Sequence, residues 1–205
     1  MDRLLPHDLP SLLLGVILCA YWARVLKMVR RARHAANFIP PEPVGRFLRF
    51  IWIPIVTLWI AHPIYFAFTG TPSPLFHNTF VSYLALIIAA LAFAETRICW
   101  KRMGKSWRMG IDPNETTSLI VTGPYAYVRH PIYALSSLMM LMSVAIVATP
   151  IMMVTAGAHL LLLQWEASRE EAHLTRVHGE SYTRYCARVG RFIPLPGARR
   201  VLRTA

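Results

Sequence analysis

The sequence predicts an all-α integral membrane protein with about five transmembrane helices, a helical hairpin made by spans four and five, and a cytoplasmic C-terminal amphipathic helix. Three observations predict it. Of 205 residues, 55% are hydrophobic and only 16% are charged, against roughly 25% charged in ordinary soluble domains. The apolar residues come in long blocks instead of at the periods of surface helices or strands. The basic residues, which set a formal net charge of +12, gather between those blocks.

The first span is expected over Leu9–Val29, apolar to Tyr21 and then carrying Trp22, Arg24 and Lys27 towards an interface. Asp2, Arg3 and Asp8 precede it, and no basic n-region or small-residue cleavage site is seen. The run is therefore expected to be a retained span and not a signal peptide. A basic loop with Arg30, Arg31, Arg33, Arg46 and Arg49 follows, broken by Pro40-Pro41-Glu42-Pro43. Phe47–Phe68 is the second span, with Pro54 and Pro63 as expected kinks. Thr69–Asn78 is an uncharged turn, and the third span is expected over about Leu75–Ile98.

The chain then turns polar, with Lys101, Arg102, Lys105 and Arg108, before Ile132–Trp165 runs on almost without charge. That run is too long for one crossing of about 20 residues. Pro150 divides it, which predicts a tight helical hairpin. From Glu166 the fifth helix becomes charged and amphipathic. It should break at Gly179 and resume through Tyr182 and Tyr185, with Arg191-Phe192-Ile193-Pro194 closing the tail. Apart from Arg3, every Lys and Arg lies in or beside the two basic loops and the tail. The positive-inside rule then puts the N-terminus outside and the tail in the cytoplasm, a parity that five spans satisfy and four do not. Two regions follow, 1–106 with three spans and 107–205 with the hairpin and tail.

The charge excludes some functions. The basic residues flank apolar spans and no nucleic-acid module is visible, so anionic lipid headgroups, and not nucleic acid, are the expected partners. Cys19, Cys99 and Cys186 have no metal or redox spacing and read as small buried hydrophobes. No HExxH, GxGxxG, GxSxG or P-loop pattern occurs. Ser136 and Ser137 lie within span four with no base near them in sequence, which argues against a serine nucleophile.

Chemistry-bearing residues concentrate in two places on the cytoplasmic face. Gly123–Tyr133 (GPYAYVRHPIY) packs three tyrosines, Arg129 and His130 at the mouth of a membrane span. Pro131 suits the first turn of a helix and pushes His130 out of helical geometry, so the imidazole is presented at the helix start. The tail supplies Glu166, Arg169, Glu170, Glu171, His173, Tyr182, Tyr185 and Arg188, and the hairpin returns it to the same face. An ordinary interface belt explains single tyrosines and arginines, and the two glutamates also suit a solvated face. Glu95 is expected to face the bundle or reach the interface, and His62 to be hydrogen-bonded within the bundle.

The run Leu119-Ile120-Val121-Thr122-Gly123-Pro124-Tyr125 with Arg129-His130-Pro131-Ile132-Tyr133 resembles the isoprenylcysteine carboxyl methyltransferase family and its phospholipid methyltransferase relatives. So do Glu170-Glu171-x-x-Leu174, His178-Gly179-x-x-Tyr182-x-x-Tyr185 and Arg188-x-x-Arg191-Phe192-Ile193-Pro194. The similarity covers roughly Trp107–Pro194, and 107–205 becomes a methyltransferase-like core. The resemblance implies a membrane methyltransferase using S-adenosylmethionine, held by the loop before the hairpin and by the tail. It implies that Tyr125, His130, Pro131, Ile132, Tyr133 and Glu170 line the cofactor site, with Thr117, Ser118, Leu119 and Ile120 along it. A sulfonium cation suits tyrosine faces and a carboxylate.

One position departs. The family usually carries an arginine four residues before the Glu-Glu pair, where this chain has Glu166. Arg169 and Arg188 are the candidate substitutes for orienting a substrate. Glu166 suits a lipid-like amine at least as well as a prenylcysteine carboxylate, and it or a tyrosine would then be the base. The acceptor is expected to be lipophilic and to enter from the bilayer. Two other readings compete: a nicotinamide-dependent reductase of the sterol reductase type, and a non-catalytic lipid or cofactor binder.

Overall fold

A computed structural model of the chain describes residues 8–31, 43–104 and 118–196. Arg33, the Pro40–Glu42 turn, Lys105, Arg108 and Thr117 lie outside the described residues. Six α-helices are described: α1 Leu9–Arg31, α2 Pro43–Thr69, α3 Thr79–Met103, α4 Pro131–Ile146, α5 Pro150–His178 and α6 Glu180–Cys186. A 3-10 turn spans Gly123–Ala126. No strand occurs among the described residues; Val128 and Gly190 form one isolated parallel bridge.

Three helices, α1 to α3, are long and apolar enough to cross a membrane, and α4 is a shorter apolar helix. The all-helical architecture and the hairpin at Pro150 are as expected. Thr149 starts α5 by accepting a hydrogen bond from the Met152 amide, and Pro150 occupies the first turn, where its missing N–H is harmless. Gly179, at φ 55°, ends α5 and separates it from α6.

Several boundaries differ from the hydropathy reading. α2 begins at Pro43, so Arg46 and Arg49 belong to its first turns and not to a loop. It runs on through Pro54 and Pro63. α3 starts at Thr79, because the Asn78 side chain caps it by accepting from the Val81 amide at 3.1 Å. It ends at Met103, extended by Lys101 and Arg102, whose charges suit a helix C-terminus. Hydropathy alone registers neither effect.

The helices pack through small residues. Ser82, Ala85, Ala89, Ala92, Thr96 and Cys99 form the buried stripe of α3, at helical spacing. It faces mainly α4, whose buried side is Ser136, Met139, Met140, Ser143 and Ile146. Small side chains let helix backbones approach where lipid offers no hydrophobic driving force. The outward surface is apolar, with Phe50 77% and Phe80 76% exposed, as suits helices facing hydrocarbon. Cys19 lies on that exposed surface, against expectation, whereas Cys99 is buried. Glu95 is also exposed, on the outer side of α3.

Polar bonds tie the helices across the interior. His62 is buried and lies 2.7 Å from Thr149 Oγ1, as expected of a bundle histidine. Trp59 Nε1 donates to Ser143 Oγ at 2.8 Å. His159, on α5, lies 3.1 Å from Ser136 Oγ on α4 and accepts a long 3.5 Å bond from Trp52 Nε1 at Nδ1. The structure thus gives Ser136 the histidine that its sequence neighbours lack. The bond directions still exclude a base. Indole N–H only donates, so Nδ1 is the acceptor, Nε2 carries the proton, and His159 donates to Ser136. The Ser136 hydroxyl is also bonded to Tyr21 on α1. At the end opposite the basic residues, the Leu75 amide donates to Ala148 O at 2.8 Å, joining the α2–α3 turn to the hairpin tip.

The α1–α2 contact is close enough to test. A Cβ on Gly15 would lie 2.4 Å from Ile64 Cγ1, whereas Gly157 has open space around it. Gly15→Val is expected to destabilise the bundle by about 1–3 kcal/mol, read as a lower thermal unfolding midpoint in detergent. Gly157→Ala is the control and should not lower it; equal midpoints for Gly15→Val and wild type would contradict the contact.

Candidate functional site

The site is built where the stretch Gly123–Tyr133 meets the end of α5 and the tail. Gly123, at φ 65°, starts the 3-10 turn, and Pro124 sits in its first positions. The Thr122 hydroxyl accepts from the Arg102 guanidinium, at 2.9 Å to Nε, which ties the turn to the end of α3. Beyond the turn the chain extends, and the Arg129 and His130 amides donate to the carbonyls of Gly190 (2.8 Å) and Arg191 (3.0 Å). A Cβ on Gly190 would fall 1.9 Å from the Ile193 carbonyl oxygen. Only glycine permits that close fold of the tail. Tyr185 adds a hydroxyl bond to the Tyr125 carbonyl.

His130 caps the start of α4, with Pro131 as the first helical residue, as the His-Pro dipeptide predicts. Its ring is buried, stacked on Tyr133 with centroids 5.5 Å apart, and edge-on to Phe192. Its two nitrogens face different carboxylates: Nδ1 is 3.4 Å from Glu170 Oε2, and Nε2 is 3.2 Å from Glu171 Oε1. A neutral imidazole donates from only one nitrogen, so this pairing suits the imidazolium. Burial opposes that charge, but the hydrogen bonds and charges of Glu170 and Glu171 outweigh it and raise the His130 pKa.

Glu171 is the most heavily coordinated group. Arg129 Nε is 2.9 Å from Oε1, Arg191 Nε is 3.0 Å from the same oxygen, and the Arg191 Nη2 group reaches Oε2. Burial alone would raise its pKa, but the bonds from His130, Arg191 and Arg129 hold it well below the usual carboxylate range. Arg129 also donates to the carbonyls of Cys186 and Val189. Glu171 is therefore not a solvated-face residue. It joins the hairpin, the loop and the tail.

Glu170 is more open and accepts from the Tyr133 hydroxyl as well as facing His130. One turn earlier, Glu166 is buried, with Oε2 3.0 Å from Arg169 Nη1. Tyr125 is buried and its hydroxyl has no hydrogen-bond partner among the described residues.

The structure thus brings together Tyr125, His130, Pro131, Ile132, Tyr133, Glu170, Glu166 and Arg169 around the start of α4 and the second half of α5. Ser118, Leu119 and Ile120 lead into the 3-10 turn, with Ser118 exposed. Arg188 is exposed after α6. The arginines that reach the glutamate pair are Arg129 and Arg191 instead. Sequence reading missed Arg49, on α2, whose charge acts on Glu166 and Tyr133. The available signal was an arginine in the first turns of an otherwise apolar helix. Among the described residues no cluster of His, Cys, Asp and Glu is placed to hold a metal ion.

Fold and site together define a helical membrane protein whose glutamate pair is clasped by a histidine loop at one end of the bundle. A family model described as phospholipid methyltransferase matches residues 79–181, half of the chain, including the loop and both glutamates. The chain belongs to the phospholipid methyltransferase family, which the two motifs had named among their relatives. Searches of curated proteins and of solved structures found no match.

The clasp predicts a pH window. The His130 pKa is raised above 6.5, so its contribution is full below about 6.5 and is lost as pH climbs through the raised value. The Glu171 pKa is lowered from 4.5, so its contribution is full above about 4.5 and is lost as pH falls through the lowered value. Stability from the clasp should peak between these limits. His130→Gln is expected to flatten the decline of the unfolding midpoint above pH 6.5. An unflattened decline would show that His130 does not titrate against the pair.

Proposed function

We propose that the protein is an integral membrane methyltransferase that uses S-adenosylmethionine and acts on a lipophilic acceptor. Family membership supports methyl transfer, and the clasp of Glu170 by His130 and Tyr133 is the observation that carries the cofactor reading. The residues present fit such a cofactor. Glu170 offers a partly open carboxylate to a cation, Tyr133 offers a ring face, and the buried Tyr125 hydroxyl offers an unused donor. When bound, the cofactor supplies an electrophilic methyl group for in-line displacement.

The chain's own part is to position and to exclude water. The tail closes over the loop, and Glu171 with its three cations holds that closure. Glu166 lies one turn from Glu170, beside Arg169, and is the candidate to orient an acceptor. For an amine acceptor, Glu166 would receive the proton that the nitrogen must lose. A carboxylate acceptor needs no base, and Arg169 would then orient it. We read α4 and α5 as completing a five-span bundle, with the N-terminus outside and the basic end, which carries the site, in the cytoplasm. Anionic lipid is the proposed partner of that basic end.

Calorimetry of the purified protein in detergent tests the reading, with S-adenosylmethionine, its demethylated product and NADPH. The first two should bind and NADPH should not; binding of NADPH alone would replace this reading with a reductase. His130→Ala and Glu170→Ala should each weaken cofactor binding at least tenfold, about 1.4 kcal/mol. Wild-type affinity in both variants would mean the cofactor lies elsewhere.

A further inference from the structure

α1 and α3 lie side by side and run the same way. The Tyr21 ring of α1 is 6.2 Å from Phe93 and 5.9 Å from Trp100, further along α3. One turn after Tyr21, the Arg24 guanidinium carbon lies 5.3 Å from the centre of the Trp100 ring. These contacts fix the rotation of both helices, and steps of three and four residues place the neighbours. On α1 the flank that carries Arg24 also carries Leu13, Ala20 and Lys27. On α3 the flank that carries Arg97, one turn before Trp100, also carries Ala90, Ala94 and Lys101. In parallel helices these two flanks open on the same side. Ala20, Ala90 and Ala94 are exposed there, as are Lys27, Arg97 and Lys101. The seam is thus apolar and shallow along its length, with four cations at its basic end.

Nothing acidic shares the seam. α1 contains no Asp or Glu, and Glu95, two residues before Arg97, falls on the opposite side of α3. Among the described residues, Arg24, Lys27, Arg97 and Lys101 have no carboxylate partner. The Arg97 charge also reaches the Arg24 guanidinium, so two like charges are held together. Trp100 is buried, and stacking on its ring keeps Arg24 at the seam. The seam is separate from the clasp. Cys99 and Arg102 turn to the other flank of α3, where Arg102 bonds Thr122 at the start of the histidine loop.

We propose that this seam binds one anionic phospholipid, its phosphate between Arg24 and Arg97 and an acyl chain along Ala20, Ala90 and Ala94. The inference narrows the anionic-lipid partnership of the basic end to one place. It rests on the membrane reading of the bundle and not on methyl transfer. A shared anion relieves the repulsion between the two arginines, and their planar forks match phosphate oxygens. Lys27 and Lys101 add attraction for a headgroup with net negative charge. The apolar length of the seam favours a phosphate that carries a chain over a free one.

Thermal unfolding of the full-length protein in detergent tests it, titrated with dioleoylphosphatidylglycerol, dioleoylphosphatidylcholine or inorganic phosphate. Phosphatidylglycerol should raise the midpoint, and the other two should raise it little. Arg24→Gln and Arg97→Gln should each increase the phosphatidylglycerol needed for half of that rise about five- to tenfold. Arg97 is exposed, so its variant keeps the test decisive if loss of the Arg24 stack unfolds the protein. Arg184→Gln removes the same charge from exposed α6 and should respond as wild type. Equal rises with the two lipids, a rise with inorganic phosphate as large as with phosphatidylglycerol, an undiminished response in Arg97→Gln, or an equal loss in Arg184→Gln would each overturn the site. A chain that stays monodisperse without detergent would overturn the membrane reading along with it.

Discussion

The arrangement of the site depends on one carboxylate. Glu171 accepts bonds from Arg129 in the loop, His130 at the start of α4 and Arg191 in the tail. These groups come from two separate stretches of chain, the adjacent residues Arg129 and His130 and the tail. A partly buried carboxylate is costly to desolvate, and it is stable here because each oxygen meets a cation. Remove that charge and two arginines and an imidazolium lose a common partner. The main-chain bonds from Arg129 and His130 to Gly190 and Arg191 run parallel to this contact and fix the register between loop and tail. Glu171 thus holds the site together, whereas Glu170, one residue earlier, is more open.

A second constraint is the polar interior of the bundle. Tyr21, Trp52, Ser136 and His159 come from four different helices, and His62 and Trp59 of α2 pair with Thr149 at the α5 N-cap and with Ser143 of α4. Away from water such groups need partners. Their bonds orient the helices about their axes more sharply than interchangeable apolar contacts do. The serine beside His159 is the clearest case of geometry that resembles catalysis and is structural. The indole donor on the far side of the ring leaves that histidine no lone pair to offer the serine.

The departure at Glu166 acquires a physical setting. The family pattern expects a cation at that point of the fifth helix, and the chain carries an acid there. The same corner nevertheless receives two guanidiniums, one from Arg169 on α5 and one from Arg49 on α2. Positive charge is therefore present beside Glu166, and it comes from other positions of the chain. Fixed charges at a site act through where they lie, and several helices can deliver the same charge to one place.

Much of the fold was legible because hydropathy and punctuation are local signals. Long apolar blocks, Pro150 at the hairpin, Gly179 at the α5 end and the His130-Pro131 helix start all appear where their residue types require. The motif residues of the loop and tail also named the family. Helix ends set by a single capping side chain, such as Asn78, and the inclusion of Arg46 and Arg49 in α2 were not legible, because apolar averages do not resolve one side-chain bond. Pairing was the larger gap. Arg129, Glu171 and Arg191 are ordinary charges in sequence, and Ser136 has no visible base. By itself the sequence determined the helices, the hairpin and the two polar stretches that meet at the basic end of the bundle. Tertiary structure decided which carboxylate clasps the loop, which arginine meets Glu166 and which way His159 points. Those outcomes depend on the rotation and register of packed helices, which a linear pattern does not encode.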